Sequence, residues 1–423
     1  MNTTRFGVER HSSTFGAALI RRLDDLAEFS SEKSALTRLY LSPEHKAAAL
    51  QTMAWMSEAG MKSIIDAVGN VVGRYDGKVP ELPALLLGSH IDTVRNAGKY
   101  DGNLGVLTAI AAVAELNRTG ERLPFAIEVI AFGDEEGVRF PVALTGSRAV
   151  AGTLDPAALD AEDRDGISVR EALQHFGCNP FDIPAVPRRK ADVLGYVEIH
   201  IEQGPVLEAE DLPVGVVTAI NGASRFEIEV DGQAGHAGTV PMGLRKDALA
   251  AAAEMILAVE RRGAATPRLV ATVGRIEAQP GAANVIPDKA CFSIDIRAPA
   301  DTDRTAAIGD LEREFRAIAS RRTVGVKLKR TYDELAATCE PWLVEQLGAA
   351  VTRLGIRTLR LPSGAGHDGL AMVALCPIGM LFVRCKSGIS HNPAESIMVE
   401  DADVAVRVLL DFLRHFHAAE SGH

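Results

Sequence analysis

"ALLLGSHIDTVRNAGKYDGNLGVLTAIAAVAELNRTGERLPFAIEVIAF", residues 84–132, reads as strand, helix, strand. ALLLGSH (84–90) and AIEVIAF (126–132) are short, almost uninterrupted apolar runs of the kind buried on both faces of a sheet. Between them GVLTAIAAVAELNRTG (105–120) carries a helical pattern. Two buried strands joined through a helix predict a parallel pair, and in such sheets sites form at the C-terminal ends of the strands. Upstream, HKAAALQTMAWMSEAG (45–60) adds a helix, and downstream GYVEIHIEQG (195–204) adds a strand. The same α/β texture therefore runs from about residue 46 to 204.

The middle of the chain differs. GVVTAI, SRFEIEVDG, a helical pattern in RKDALAAAAEMILAVERRG, then LVATVGRIEA, KACFSIDIRA and a second helical pattern in DRTAAIGDLEREFRAIASRR give strand, strand, helix, strand, strand, helix. That order suits an α+β sandwich, an antiparallel sheet with helices on one face. After about residue 329 the first texture returns, with PWLVEQLGAAVTRLG as helix, PIGMLFVRC as strand and VEDADVAVRVLLDFLRHFHAAE as closing helix. A chain of 423 residues exceeds the size at which one core keeps growing, so one domain is expected inside another: 1–212 with 330–423, interrupted by 213–329.

The formal charge of -11, with no concentrated Lys/Arg run, argues against a nucleic-acid partner. No stretch of about 18 uncharged apolar residues offers a membrane span, and the opening MNTTRFGVERHSSTFG has no apolar core of signal-peptide length. A cytoplasmic protein is expected. Cys178, Cys291, Cys339, Cys376 and Cys385 are scattered and never in a C-x-x-C pair, which fits reduced thiols and argues against a structural zinc held by thiolates.

Several polar stretches fall at strand ends or in loops. GSHID (88–92) delivers His90 and Asp92 onto one face of a strand, where a carboxylate can accept the second N–H of a ligating imidazole; a plain polar strand end looks the same. KYDGNLG (99–105) offers Asp101 ahead of a helix, where capping is the ordinary reading. FGDEEGVRF (132–140) presents Glu135 and Glu136 directly after a buried strand, one able to bind a cation while its neighbour handles a proton. In GYVEIHIEQG, Val197, Ile199 and Ile201 alternate with Glu198, His200 and Glu202, a pattern that an exposed edge strand would also show. SGISHNPAES (387–396) adds His391 in a turn-rich loop. Together His90, Asp101, Glu136, His200 and His391 supply nitrogen and oxygen donors enough for two Zn²⁺-like ions and one bridging carboxylate. His11, His45, His175, His415, His417 and His423 have no such neighbours and are read as background.

These motifs resemble the hydantoinase/carbamoylase branch of the dinuclear M20 metallo-aminohydrolases, which includes N-carbamoyl-L-amino-acid hydrolases, β-ureidopropionases and allantoate amidohydrolases. GSHIDTV, KYDG, DEEGVRF, HIEQGPVLE, GHAGTVPMG, SGAGHDG and GISHNPAE occur in family order, and the resemblance runs from about residue 15 to 415. It implies an α/β, metallopeptidase-like catalytic domain with 213–329 as an inserted lid and dimerisation domain. It also implies two divalent ions per subunit, Zn²⁺ or Mn²⁺ with Co²⁺ and Ni²⁺ open. His90 and His200 would hold one ion and Glu136 and His391 the other, with Asp101 bridging, Asp92 orienting His90 and Glu135 as general base. His236, in QAGHAGTVPMG, would reach the active site of the partner in a homodimer and stabilise the oxyanion. Asn284 in GAANVIP, Gln203, and His367 with Asp368 in SGAGHDG would be contacts near substrate or metal. Arg297 ends FSIDIR on the face opposite Phe292, Ile294 and Ile296, where it could clamp a substrate carboxylate or pair with Asp295.

Peptidase and aminoacylase relatives typically carry a carboxylate at the position of His200, so this histidine favours the carbamoylase branch. The activity implied is metal-dependent removal of the carbamoyl group of an N-carbamoyl-L-amino acid as ammonia and CO₂. Allantoate, converted to ureidoglycine, is the alternative substrate; a β-ureidopropionase, a peptidase or an aminoacylase stands behind it. A non-catalytic binding homologue would be expected to lack a ligand or the base, and here each is present.

Overall fold

The strand read at Ala84–His90 is buried along its whole length and hydrogen-bonds in parallel to Ala126–Phe132 on one side and Val193–Ile201 on the other. Ile378–Val383 extends the parallel set beyond Val193–Ile201. The margins are antiparallel: Val71–Tyr75 and then Lys62–Ile65 beyond Ala126–Phe132, and Val214–Ile220 beyond Ile378–Val383. The apolar strands are continuous because helices cover the sheet. Asn103–Arg118 packs on three central strands, and Val399–His415 packs against it and against Thr14–Ala27 and Pro341–Arg353. The strand Val193–Ile201 lies between two others with Glu198 and His200 buried, so its alternation is not that of an exposed edge.

This computed structural model describes residues 14–418, so the opening residues read for a signal peptide, with His11 and His423, lie outside the described residues. The chain divides into two compact units. One holds the sequence through Thr218 with Cys339–Leu361 and the chain from His367 onward; the other is Ala219–Thr338 with Pro362–Gly366. These bounds differ from 213–329 for a physical reason. GVVTAI lies wholly in Val214–Ile220, a strand of the large sheet that pairs with Ile378–Val383, while Gly325–Glu334 pairs with Gly222–Asp231 in the second unit's own sheet.

That second sheet is antiparallel, in the order Ile276–Gln279, Lys289–Ala298, Gly222–Asp231, Gly325–Glu334. The run LVATVGRIEA breaks at Gly274 into Val270–Thr272 and Ile276–Gln279, each pairing with Lys289–Ala298. Helices Ala248–Ala264 and Asp301–Arg322 close one face over Phe226, Ile228, Met255, Phe292, Ile294 and Phe315.

No helix among the described residues is long and apolar enough to cross a membrane. All five cysteines are free thiols, with Cys339, Cys376 and Cys385 buried.

The helix Pro43–Glu58 begins before its apolar pattern because Ser42 caps it, accepting from the His45 N–H, with proline at the first position. His45 is fully buried beside Tyr40 and Phe176, and its Nδ1 accepts from the Leu41 N–H at 3.1 Å. Burial, aided by the charges of Arg38 and Arg139, pushes its pKa down to about 3. The unfolded imidazole protonates near 6.5, so this contribution to stability is whole above about pH 6.5 and is lost as pH falls toward 3, by roughly 1.4 kcal/mol per unit. His45→Gln keeps an acceptor for Leu41 and cannot titrate. Urea unfolding at stepped pH should show a shallower loss between pH 6 and 4 in this variant, and equal slopes would contradict the assignment.

Candidate active site

The C-terminal ends of the central strands bring His90, Asp101, Glu135, Glu136, His200 and His391 together in the larger unit. Asp101 lies at the middle: its Oδ1 is 3.6 Å from His90 Nε2 and 3.1 Å from His200 Nε2, and its Oδ2 is 3.1 Å from His391 Nε2. His391 Nε2 is also 3.7 Å from Glu136 Oε2, and His90 Nε2 is 3.9 Å from Glu135 Oε2. Gly102 allows the close approach, since a Cβ there, at φ +67°, would fall 2.4 Å from the His90 ring.

The imidazoles are held in one orientation. His90 Nδ1 lies 2.9 Å from the Asp92 carbonyl and His200 Nδ1 lies 2.9 Å from the Ile201 carbonyl, so in the neutral rings Nδ1 donates and Nε2 keeps its lone pair. The Gly102 N–H donates to His200 Nε2 at 3.3 Å, consistent with that tautomer. The expected role of Asp92 changes in detail: its backbone carbonyl orients His90, whereas its carboxylate, 3.9 Å from the ring, accepts from the Glu135 and Glu136 N–H groups at 3.2 and 3.3 Å. The turn after Phe132 draws that side chain away from the imidazole.

Burial dominates the electrostatics. It pushes Glu135 well above the ordinary carboxylate range, against the pull of His90, and it carries Glu136 up to about 7 with the help of the Asp101 charge. Burial alone would raise Asp101 too, but His200, His391 and His90 outweigh it and hold Asp101 well below its usual value. A buried excess of carboxylates, with three imidazole Nε2 atoms converging on one of them, is a donor set of nitrogen and oxygen that divalent cations fit.

Other expected residues are placed as follows. Gln203, at φ +56°, donates from Nε2 to Asp101 Oδ2 at 2.9 Å and to Ser390 Oγ at 3.2 Å, while its Oε1 is buried without a hydrogen-bond partner among the described residues. His367 is buried with its ring 4.4 Å from that of His200. In the second unit, His236 pairs with Val285 in a two-residue strand pairing, and just beyond it the Ala237 N–H donates to the Asn284 carbonyl at 3.0 Å. The Gly238 N–H donates to His236 Nδ1 at 3.0 Å, which leaves Nε2 to carry the proton of the neutral ring. Arg297 is on the polar face, but its Nε and Nη2 are paired with Asp295 at 2.8 and 3.1 Å, the alternative weighed from the sequence.

Three supports were not assigned from the sequence. Glu198, almost fully buried, accepts from Ser89 Oγ at 3.0 Å and from the Gly369 N–H at 3.2 Å, tying two strand ends to the turn that carries His367. Arg38 is buried behind the site and donates to the Ile91 carbonyl and to Asn103 Oδ1. Glu395 accepts from the Tyr100 and Asp101 N–H groups. For Glu198 the signal was present: a carboxylate two residues before His200 on the same face of an apolar strand.

The family description Peptidase family M20/M25/M40 matches residues 86–415. The chain belongs to this family. Within the M20 group it is 40% identical over 395 residues to an N-carbamoyl-L-amino acid amidohydrolase of Geobacillus stearothermophilus, covering 93% of this chain and 97% of that one. It is likewise 40% identical over 436 residues to an allantoate deiminase of Arabidopsis thaliana, covering 95% and 83%. A hydantoinase/carbamoylase family amidase from Burkholderia multivorans superposes with a TM-score of 0.89 at 33% identity, over 94% of this chain and 97% of that one. This M20 protein is a hydrolase acting on carbon–nitrogen bonds, of the hydantoinase/carbamoylase branch.

Proposed function

We propose that the protein cleaves the ureido C–N bond of N-carbamoyl-L-amino acids, releasing the amino acid, ammonia and CO₂. The observation that carries this reading is a nearly buried carboxylate, Glu135, facing a cluster in which three imidazole Nε2 atoms converge on Asp101. His90, His200 and Asp101 would hold one divalent ion, and Asp101, Glu136 and His391 a second. When bound, such ions polarise a carbonyl and acidify water. Glu135 takes the proton of the attacking water and returns it to the departing amine. Gln203 Oε1, buried and without a hydrogen-bond partner among the described residues, accepts from a ureido N–H. Asp295 occupies the Nε/Nη2 edge of Arg297 and the Gly364 carbonyl accepts from Nη1, so a substrate carboxylate is received by the remaining Nη1 and Nη2 N–H groups. Asn284 and His367 complete the substrate contacts in this reading.

The second unit, as lid and dimerisation domain of a homodimer, brings His236 to the partner's site, where the Nε2–H left by the Gly238 contact donates to the developing oxyanion. His236→Ala should lower kcat by about 10²-fold or more with metal content unchanged. Mixing this variant with Glu135→Gln should recover activity, because one site of the mixed dimer then has both residues; no recovery would place His236 on its own subunit's site or deny the dimer. The five free thiols favour the cytoplasm.

Allantoate is the second reading, favoured by the Arabidopsis thaliana allantoate deiminase at the same 40% identity. The deciding experiment is ammonia release from N-carbamoyl-L-amino acids, N-carbamoyl-β-alanine, allantoate and dipeptides, with protein reconstituted with Zn²⁺, with Mn²⁺ and without metal. Preference for N-carbamoyl-L-amino acids supports the first reading. Turnover of allantoate alone replaces it with the second, and amino acid from dipeptides without ammonia would overturn both.

A further inference from the structure

Among the residues assigned to cation binding, His391 is the least secured by its own backbone. His90 and His200 stand on central strands of the sheet. His391 sits on a loop with its side chain 50% exposed and its φ at +54°, in the left-handed region that a Cβ disfavours. A residue stays in such a conformation only where its surroundings over-determine it.

Glu395 supplies that determination. It is buried, and its Oε1 accepts from the Tyr100 N–H at 2.8 Å and the Asp101 N–H at 3.1 Å. Its Oε2 is 3.0 Å from Ser390 Oγ, which is itself 3.0 Å from Asp101 Oδ2 and accepts from Gln203 Nε2 at 3.2 Å. Asn392 shapes the turn between: its side chain accepts from the Ala394 N–H at 2.9 Å and its carbonyl from the Glu395 N–H at 3.0 Å. Gly98 leaves the space, since a Cβ there would fall 2.4 Å from Glu395 Oε1. One carboxylate thus ties the loop of His391 to the turn of Asp101, through backbone N–H groups directly and through the Ser390 hydroxyl to the Asp101 side chain.

We propose that Glu395 is a positioning residue that pre-forms the second cation station by holding the His391 loop against Asp101. The proposal rests on the reading that Asp101, Glu136 and His391 hold the second ion. Asp101 keeps other anchors when the clamp is lost, because Asn103 Nδ2 donates to its carbonyl at 3.0 Å and the helix Asn103–Arg118 begins beside it. His391 itself lies in no strand or helix and is half exposed. Loss of Glu395 therefore weakens one ion and spares the other.

The test is a Zn²⁺ titration of metal-free, full-length protein by calorimetry with a competing chelator. Wild type takes up two equivalents. In Glu395→Ala the affinity of the second falls by about 10- to 100-fold while the first is kept. Glu395→Gln restores most of the loss, because its carbonyl still accepts from Tyr100 and Asp101 and its amide donates to Ser390. Should the alanine variant fold poorly, Ser390→Ala decides, and it should weaken the second equivalent alone. Wild-type binding of both equivalents by Glu395→Ala, or equal loss of both without rescue by Gln, would overturn the proposal. A wild type that takes up no second equivalent instead defeats the two-ion reading beneath it, and that result needs no variant.

Discussion

Glu135→Gln should lower kcat by about 10²-fold or more while leaving bound metal unchanged. The substitution preserves shape: the Glu135 N–H still donates to Asp92, and the side chain, 11% exposed, keeps its place beside His90. What it removes is the ability to accept a proton. Burial holds this carboxyl well above the ordinary range, which moves a general base toward the neutral pH at which it must work.

The metal measurement makes this result informative. His90, Glu135 and Glu136 themselves form a cluster whose donor atoms are close enough to hold an ion, so Glu135 has a competing reading as a ligand. Loss of one equivalent of metal in Glu135→Gln would establish that reading and move the proton transfer elsewhere. Retained metal with near-normal turnover would deny both. Only retained metal with low kcat and little change in KM fits a group that acts on the water's proton, because uniform binding losses appear in KM.

How legible this site was follows from what each residue depends on. Ala84–His90 and Ala126–Phe132 were readable to the residue because strands buried on both faces are mostly apolar, with polar residues few: Ser89 and His90 at one strand's end and Glu128 in the other. Val214–Ile220 was given to the wrong sheet, since an apolar run states that it is buried but not which partner buries it. The same distinction holds in the site. His90, His200 and Asp101 carry side chains whose chemistry is visible in the sequence, and the family motifs fix their order. Glu198 and Glu395 act through backbone N–H groups of Gly369, Tyr100 and Asp101, and those groups are generic to any residue. Their roles exist only once the fold sets the turns beside them. The pairing of Arg297 with Asp295 was open for a related reason: residues two apart on a strand share a face, and whether the guanidinium turns along the strand or away from it is decided by the neighbouring Gly364 carbonyl and Arg225.

The larger effect is expected at Asp101. Asp101→Asn should bind metal at least tenfold more weakly at both stations and leave kcat lower by about 10³-fold or more. Asp101 meets His90 and His200 through one oxygen and His391 through the other, so it is the only group shared by both stations in the proposed assignment. An asparagine keeps one oxygen and presents N–H on the other side, where a cation would be repelled and an imidazole lone pair attracted. The variant therefore replaces a bridge by a hydrogen bond that closes the site upon itself. Gln203 Nε2 and Ser390 Oγ, which now point at Oδ2, would face a donor or force the amide to turn its oxygen toward them. In either orientation one station loses its oxygen ligand, and the other keeps an oxygen that no longer carries the carboxylate's charge. Metal analysis after exhaustive dialysis, with ammonia release measured on the same samples, separates the outcomes. Loss of one equivalent alone would mean that Asp101 serves a single ion, and two equivalents held at wild-type affinity would remove it from the metal site altogether.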